Sequence, residues 1–355
     1  MYTIMIDQAI EDTSCFFIDL RSPNEYRQGT IQGAVSMPIL DDEEREMIGT
    51  IYKQKSVAEA KIIAIEKVSP KLATMLKQIK DCERSHGKVV LFCSRGGYRS
   101  GPLVHLCNQM GIKVYQLKGG YKAYRKYTLD YFDKIKSHHQ FIVLHGYTGV
   151  GKTILLEKLA RQGIPCINLE KLAQNSGSVF GFIGHPKKRI TQKQFESLLL
   201  DRLLKSSATH LFIESESQRI GNVILPKTVH QQMINGSHVL IETSLETRVS
   251  HLIEEYTDEM SERIDELKKA LTDLKQLLGN DKILEYTQDL HHGRFEKIVL
   301  ELAKDYYDPL YQHSIQKYSY ELNITYDTME EALEQLHQFY KMKEGCKINE
   351  KTNLF

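Results

Sequence analysis

Phe141-Ile142-Val143-Leu144-His145-Gly146-Tyr147-Thr148-Gly149-Val150-Gly151-Lys152-Thr153 decides how the second half of this chain folds. Four apolar residues open a short buried strand. Gly146 to Thr153 then fits GxxxxGK[S/T] without a mismatch, and residues 154–162 form an amphipathic helix that stops at Gly163. Strand, glycine-rich turn and helix in that order make a phosphate cradle. The glycines let backbone N–H groups wrap a phosphate chain, with Tyr147, Thr148 and Val150 as the intervening positions. Lys152 supplies charge to the terminal phosphates, and Thr153 has the hydroxyl to ligand Mg²⁺. ATP is the broad expectation for the bound compound, but a pyrophosphate ester fits the same cradle.

Working outward from that loop, further strands are predicted at 164–169, 210–214 and 238–242, alternating with helices as a mainly parallel sheet requires. The predicted strand at 210–214 ends in Glu214, and Glu216 follows. Either carboxylate could supply the second metal-linked group that a phosphate cradle needs, although acids after apolar strands are common. From Leu245 the pattern becomes almost entirely helical, at 245–255, 259–278 and 295–304. The segment 258–275 is highly charged with Leu and Ile at three- and four-residue spacing, which fits a solvated amphipathic helix.

Toward the N-terminus, Val89-Val90-Leu91-Phe92 is a second buried strand. It runs into Cys93-Ser94-Arg95-Gly96-Gly97-Tyr98-Arg99-Ser100-Gly101. A cysteine is thereby set at the carboxyl end of a strand, where open α/β sheets place ligands. Gly96 and Gly97 let the backbone curl so that amide N–H groups point inward. Ser100 is placed to cap a helix beginning near Pro102, and Arg95 and Arg99 add full charge. Each feature favours the thiolate, and the same loop would hold a persulfide or an oxyanion. Cys15, Cys82, Cys107, Cys166 and Cys346 lack such surroundings and read as small apolar residues.

Cys93 to Arg99 resembles the active-site loop of the rhodanese family. So do Asp19-Leu20-Arg21-Ser22-Pro23-Asn24-Glu25-Tyr26 and Gly29-Thr30-Ile31-Gln32-Gly33-Ala34-Val35-Ser36-Met37-Pro38, with Thr30 where the usual pattern has His. A rhodanese-like domain followed by a phosphate cradle on one chain resembles the tRNA 2-selenouridine synthases. Residues 40–54, LDDEEREMIGTIYKQ, look like a stretch particular to that family, and residues 214–221 and 241–248 are similar to it as well. The resemblance implies exchange of the 2-sulfur of a wobble-position 2-thiouridine in tRNA for selenium. It implies S-geranylation by geranyl diphosphate first, then displacement by selenium derived from selenophosphate. Lys152 and Mg²⁺ would activate the diphosphate. Cys93 would carry selenium in a perselenide-type adduct, held by the Gly96 and Gly97 amides with Arg95 and Arg99, and flanked by Ser94 and Tyr98.

The bulk numbers set limits. A chain of 355 residues suggests two or three domains. With 41% hydrophobic and 26% charged residues and a net charge of +1, it has ordinary globular composition. Any nucleic-acid surface must therefore be a local patch. Lys187, Lys188 and Arg189 are the best candidates for RNA contact, with the lysines and tyrosines of 118–126 a second choice. No CxxC pair points to a structural metal. No apolar run approaches the roughly 20 residues that span a bilayer. The first eleven residues carry two acids and no basic cluster, unlike a signal peptide, so a cytoplasmic protein with no membrane partner is expected.

The expected fold class is α/β: a rhodanese-like α/β domain (1–130), a linker (131–139), a P-loop NTPase-like α/β domain (140–256), a helical C-terminal region (257–345) and a flexible tail (346–355). Two other functions fit the same motifs. One is an ATP-dependent tRNA sulfurtransferase or kinase with a rhodanese sulfur carrier. The other is a nucleotide-sensing binding module with an inert rhodanese domain.

Overall fold

The two strands that carry the motifs are the central strands of two separate five-stranded parallel sheets. A computed structural model describes residues 2–175, 190–260 and 264–352. It divides into two units, one of Met1–Asp133 with Thr191–Asp201, the other of Lys134–Ile190 with Arg202–Phe355.

In the first unit the strands are β1 (Tyr2–Ile4), β2 (Cys15–Asp19), β3 (Val35–Ser36), β4 (Lys88–Phe92) and β5 (Val114–Leu117). Their order is β1-β5-β4-β2-β3, with every neighbour parallel. Val89 to Phe92 are fully buried because β4 lies mid-sheet with both faces covered, which is why they read as an unbroken apolar run. Ile79, Leu103, Val104 and Cys107 from the covering helices join Val89 and Leu91 in one core. Two helices, Asp42–Gln54 and Val57–His86, are inserted between β3 and β4. Asp41 starts the first by accepting the Glu44 amide at 2.8 Å, with Glu44 reaching back to the Asp41 amide at 3.0 Å.

At the end of β2, buried Asp19 accepts Arg21 Nε at 2.9 Å and Arg21 Nη2 at 2.5 Å. Thr30, the departure from the rhodanese pattern, donates its hydroxyl to Asp19 Oδ2 at 2.8 Å. Thr30 thus completes the buried carboxylate's hydrogen bonding. The helix Gly120–Asp133 takes up residues 131–133 of the stretch expected as linker, and a 3₁₀ turn at Ile135–Ser137 follows. Residues 191–201, expected in the phosphate-binding domain, belong to the first unit. There Ser197 donates to the Thr30 carbonyl at 2.7 Å and lies 2.6 Å from the Tyr124 hydroxyl.

The second unit holds β6 (Gln140–His145), β7 (Cys166–Ile167), β8 (His210–Glu214), a small antiparallel pair β9 (Arg219–Ile220) and β10 (Val223–Ile224), β11 (Ser237–Glu242) and β12 (Leu322–Thr325). The main sheet runs β12-β11-β6-β8-β7, all parallel. Two expectations need correction. The strand at 164–169 shrinks to Cys166–Ile167, because the Asn168 side chain accepts the Lys171 amide at 2.7 Å and starts a helix at Leu169. The C-terminal region is not wholly helical. Its strand β12 buries only Ile324, too little periodicity to show in sequence, and exists because β11 offers it an open edge. Helices 245–315 otherwise build their own core around Leu271, Tyr286, Leu290 and Leu302. No helix among the described residues is long and apolar enough to cross a membrane.

Candidate functional site

Cys93 follows β4 and is only 3% exposed. Its sulfur lies 3.2 Å from the Ser100 hydroxyl oxygen. Gln116 donates to the same oxygen at 3.1 Å and to the Gly96 carbonyl at 2.8 Å. Gln116 takes up one lone pair of the Ser100 oxygen, which leaves the hydroxyl proton available to a thiolate sulfur. Burial pushes the thiol up, but the Ser100 hydroxyl, the Ser100 and Gly97 amides and the Arg99 charge outweigh it, and the pKa lies below the ordinary thiol value.

The structure corrects the Ser100 expectation and adds contacts to the others. The Gly97 and Ser100 amides are among the groups that favour the Cys93 thiolate. Ser100 is the first residue of the helix Ser100–Gln109 rather than its cap, because its hydroxyl is turned to Cys93. Arg99 is held by Glu25 at 2.5 and 3.2 Å and so acts on the thiol from a fixed position, while Arg95 and Tyr98 are exposed. The loop is locked from below by Gly120, at φ +56°, where a Cβ would collide with the Cys93 carbonyl oxygen. A cavity of about 860 Å³ opens beside Cys93, Ser94, Arg95, Gly97 and Tyr98. Its opposite wall is the inserted helix Asp42–Gln54 and the start of Val57–His86.

In the second unit the phosphate loop is held by its carbonyls. Lys152 Nζ donates to those of Gly146 (2.8 Å) and Tyr147 (3.2 Å), and Arg248 Nε to that of Thr148 (2.9 Å). His251 Nδ1 lies 3.0 Å from the Gly149 carbonyl, and the Tyr326 hydroxyl donates to that of Val150 at 3.0 Å. Five successive carbonyls are thus turned toward side chains; the Val150 amide bonds the Tyr147 carbonyl at 3.3 Å, and the other loop amides are left for an anion. Gly146, at φ +147°, passes so close to β11 that a Cβ would collide with the Ile241 carbonyl oxygen. Gly151 is the left-handed residue before the helix Lys152–Arg161, whose first turn carries Thr153.

Glu214 ends β8 fully buried and accepts the Glu170 amide at 2.8 Å. Burial, then the Glu170 charge, holds Glu214 well above the usual carboxylate range. The same causes push Glu216 up to about 8. Burial holds Lys152 below its ordinary value, opposed by Glu170, Glu216 and Glu214. Crowded carboxylates beside a phosphate cradle fit a site built for Mg²⁺, which takes one or two carboxylates and completes its shell with water and phosphate oxygens. Among the described residues no three His, Cys, Asp or Glu side chains form a protein-only metal cage.

Residues 139–343 match the tRNA 2-selenouridine synthase AAA domain, and residues 5–127 match the rhodanese-like domain. The chain belongs to the tRNA 2-selenouridine synthase family. A tRNA 2-selenouridine synthase of Nitrosomonas europaea is 31% identical over 362 residues, covering 88% of this chain and 93% of its own. Those of Hydrogenovibrio crunogenus (31%; 90% and 94%) and Sulfurovum sp. (31%; 84% and 88%) are similar over comparable lengths. Membership makes this chain a tRNA-modifying transferase.

In this 2-selenouridine synthase family member, Arg248, Asp308, His251 and Tyr326 shape the phosphate loop, yet sequence reasoning did not single them out. Arg248 fell inside the family-like stretch 241–248, the only signal available. Lys187, Lys188 and Arg189 lie outside the described residues. The alternative RNA patch at 118–126 is weakened, because Tyr121 and Tyr124 are buried and Arg125 is paired with Glu196. Its tyrosines cannot stack on bases.

Proposed function

We propose that this chain exchanges the 2-sulfur of wobble-position 2-thiouridine in tRNA for selenium, by S-geranylation with geranyl diphosphate and then selenophosphate-dependent selenation. The observation that carries the reading is the cavity of about 750 Å³ that begins at Gly146 of the phosphate loop. Ile220, Ile234, Leu310, Ile315, Tyr311 and Tyr318 contribute its apolar and aromatic walls. Polar residues such as His145, Asn175, Glu216 and Gln218 line the rest of it, so this cleft beside the phosphate loop offers a polar part to a diphosphate and an apolar part to a hydrocarbon tail. The loop amides and Lys152 would bind and orient the diphosphate, and Arg248 would hold the loop in shape. Glu214, Glu216 and Thr153 would hold Mg²⁺, which supplies neutralisation of the leaving diphosphate. In geranylation the thiocarbonyl sulfur bonds to C1 of the geranyl group, and the carbon–oxygen bond breaks with its electron pair leaving on diphosphate. Cys93, its pKa lowered by Ser100, Gly97 and Arg99, would handle selenium in the second step.

Mass spectrometry of nucleosides from 2-thiouridine-containing tRNA, incubated with the protein, Mg²⁺ and geranyl diphosphate, with and without selenophosphate, tests this. A geranylated nucleoside that converts to 2-selenouridine is the expected result. Cys93→Ala keeps geranylation and loses selenation, and Lys152→Ala loses geranylation. An unchanged tRNA, with Cys93 still labelled by selenophosphate, moves the reading to an ATP-dependent sulfurtransferase.

A further inference from the structure

Cys93 is almost wholly enclosed, and the cavity of about 860 Å³ that it lines offers a reactant a way to it. That cavity has more furniture than a small anion needs. Tyr98, on the loop, is 64% exposed, and Tyr52, on the inserted helix Asp42–Gln54, is 44% exposed. Both line the cavity, with ring centroids 6.3 Å apart and planes tilted by 55°. Lys61 Nζ lies 4.4 Å from the Tyr98 ring centroid. Arg45, Lys53, Lys61, Arg95 and Arg99 face the cavity against Glu46 alone. Of these, Arg99 is fixed on Glu25 and Arg45 lies 3.7 Å from the same carboxylate. Lys53, Lys61 and Arg95 are exposed and have no carboxylate partner among the ion pairs of the described residues. An exposed tyrosine or lysine on a helix is ordinary. Two tyrosines and three cations meeting in one cavity beside a thiol biased toward the thiolate are not.

We propose that this cavity is the RNA-binding cleft of the first unit, in which Tyr52 and Tyr98 stack the substrate base and Lys53, Lys61 and Arg95 take the flanking phosphates. Unpaired RNA bases are held on aromatic faces, with lysine and arginine tracking the backbone. The inserted helices between β3 and β4 supply half of the cleft, which gives residues 42–61 a reason to be there. This inference rests on the tRNA reading given above.

The test uses the full chain and an anticodon stem-loop RNA carrying 2-thiouridine. RNA affinity is measured by fluorescence anisotropy, and RNA protection of Cys93 by the rate of alkylation with iodoacetamide. Tyr52→Ala with Tyr98→Ala should weaken binding about 10-fold or more and abolish protection, while the pair Tyr52→Phe and Tyr98→Phe stays close to the unsubstituted chain. Undiminished affinity and protection in the alanine pair overturn the inference and leave the tRNA reading standing. Equal losses in the alanine and phenylalanine pairs also overturn it, since stacking needs only the rings. An RNA that does not bind the unsubstituted chain sinks the tRNA reading itself. If the alanine pair melts early, Lys53→Ala with Lys61→Ala carries the test: the salt dependence of binding should become shallower, and an unchanged slope counts against the cleft.

Discussion

Arg248 and Asp308 form a two-point ion pair, Nη1 to Oδ2 at 3.0 Å and Nη2 to Oδ1 at 2.5 Å, across 60 residues of sequence. Arg248 is buried, and its remaining Nε donates to the Thr148 carbonyl of the phosphate loop. The pair therefore joins the helical region to the loop that holds the anion. Arg248→Ala leaves both Asp308 and that carbonyl without a partner, a costlier loss than either hydrogen bond gained in water. Pyrophosphate binding in the presence of Mg²⁺, read by titration calorimetry, should weaken about 10-fold. Asp308→Asn should weaken it less. An unaltered affinity in Arg248→Ala would show that the loop keeps its shape unaided.

The Ser100 hydroxyl is the first of the groups that offset burial of the Cys93 thiol. Removing it in Ser100→Ala should move the midpoint of the alkylation pH profile upward and slow alkylation at neutral pH several-fold. Gln116→Leu should act in the same direction but more weakly, because it only orients that hydroxyl. A profile that stays put would assign the thiolate to the Gly97 and Ser100 amides and Arg99.

His145 is buried at the end of β6, its Nε2 2.9 Å from His238 Nδ1. His238 Nε2 lies 3.0 Å from the Ile234 carbonyl and must donate to it, so His145 is the donor of the pair. Burial, then the charges of His238 and Lys152, pushes His145 down to about 3. A folded-state value below the unfolded one, about 6.5, makes stability complete above the unfolded value and progressively lost as pH falls toward the folded one. The melting temperature should therefore drop as pH is lowered from 7 to 5. His145→Gln should flatten that slope without abolishing it, because His238 is shifted down too. Parallel pH profiles for the two proteins would exclude the histidine pair as the cause.

Gly120→Ala should destabilise the first unit by about 1–3 kcal/mol, since it adds both a positive-φ penalty and a collision with the Cys93 carbonyl. Gly111→Ala, at φ +76° with open space around it, carries the backbone penalty alone. Chemical denaturation of the two variants separates the terms. Equal losses would mean that the Cys93 loop yields to Gly120 at no cost.

Much of the site was legible before any coordinates. The strands before Cys93 and Gly146 announced themselves because central parallel strands are apolar on both faces, and the two glycine-rich loops because few residues tolerate their backbone. Glu214 could be placed at a strand end for the same reason. What escaped were partners distant in sequence. Nothing local marks Arg248, His251 or Tyr326 as partners of phosphate-loop carbonyls, or Gln116 as a donor to the Ser100 hydroxyl beside Cys93. Strand β12 escaped because a four-residue edge strand takes its state from β11 rather than from its own pattern.

By itself, then, the sequence determined the fold class, the order of the two α/β units and the two glycine-rich loops of the candidate sites, because each is written in contiguous residues whose backbone needs are severe. Only the tertiary structure decided which donors serve the Cys93 sulfur, that residues 191–201 pack with the first unit, that carboxylates gather around Lys152, and that Tyr52 and Tyr98 line one cavity with Cys93. Those are relations between side chains brought together by packing, and burial and geometry set their energies, neither of which exists until the chain has folded.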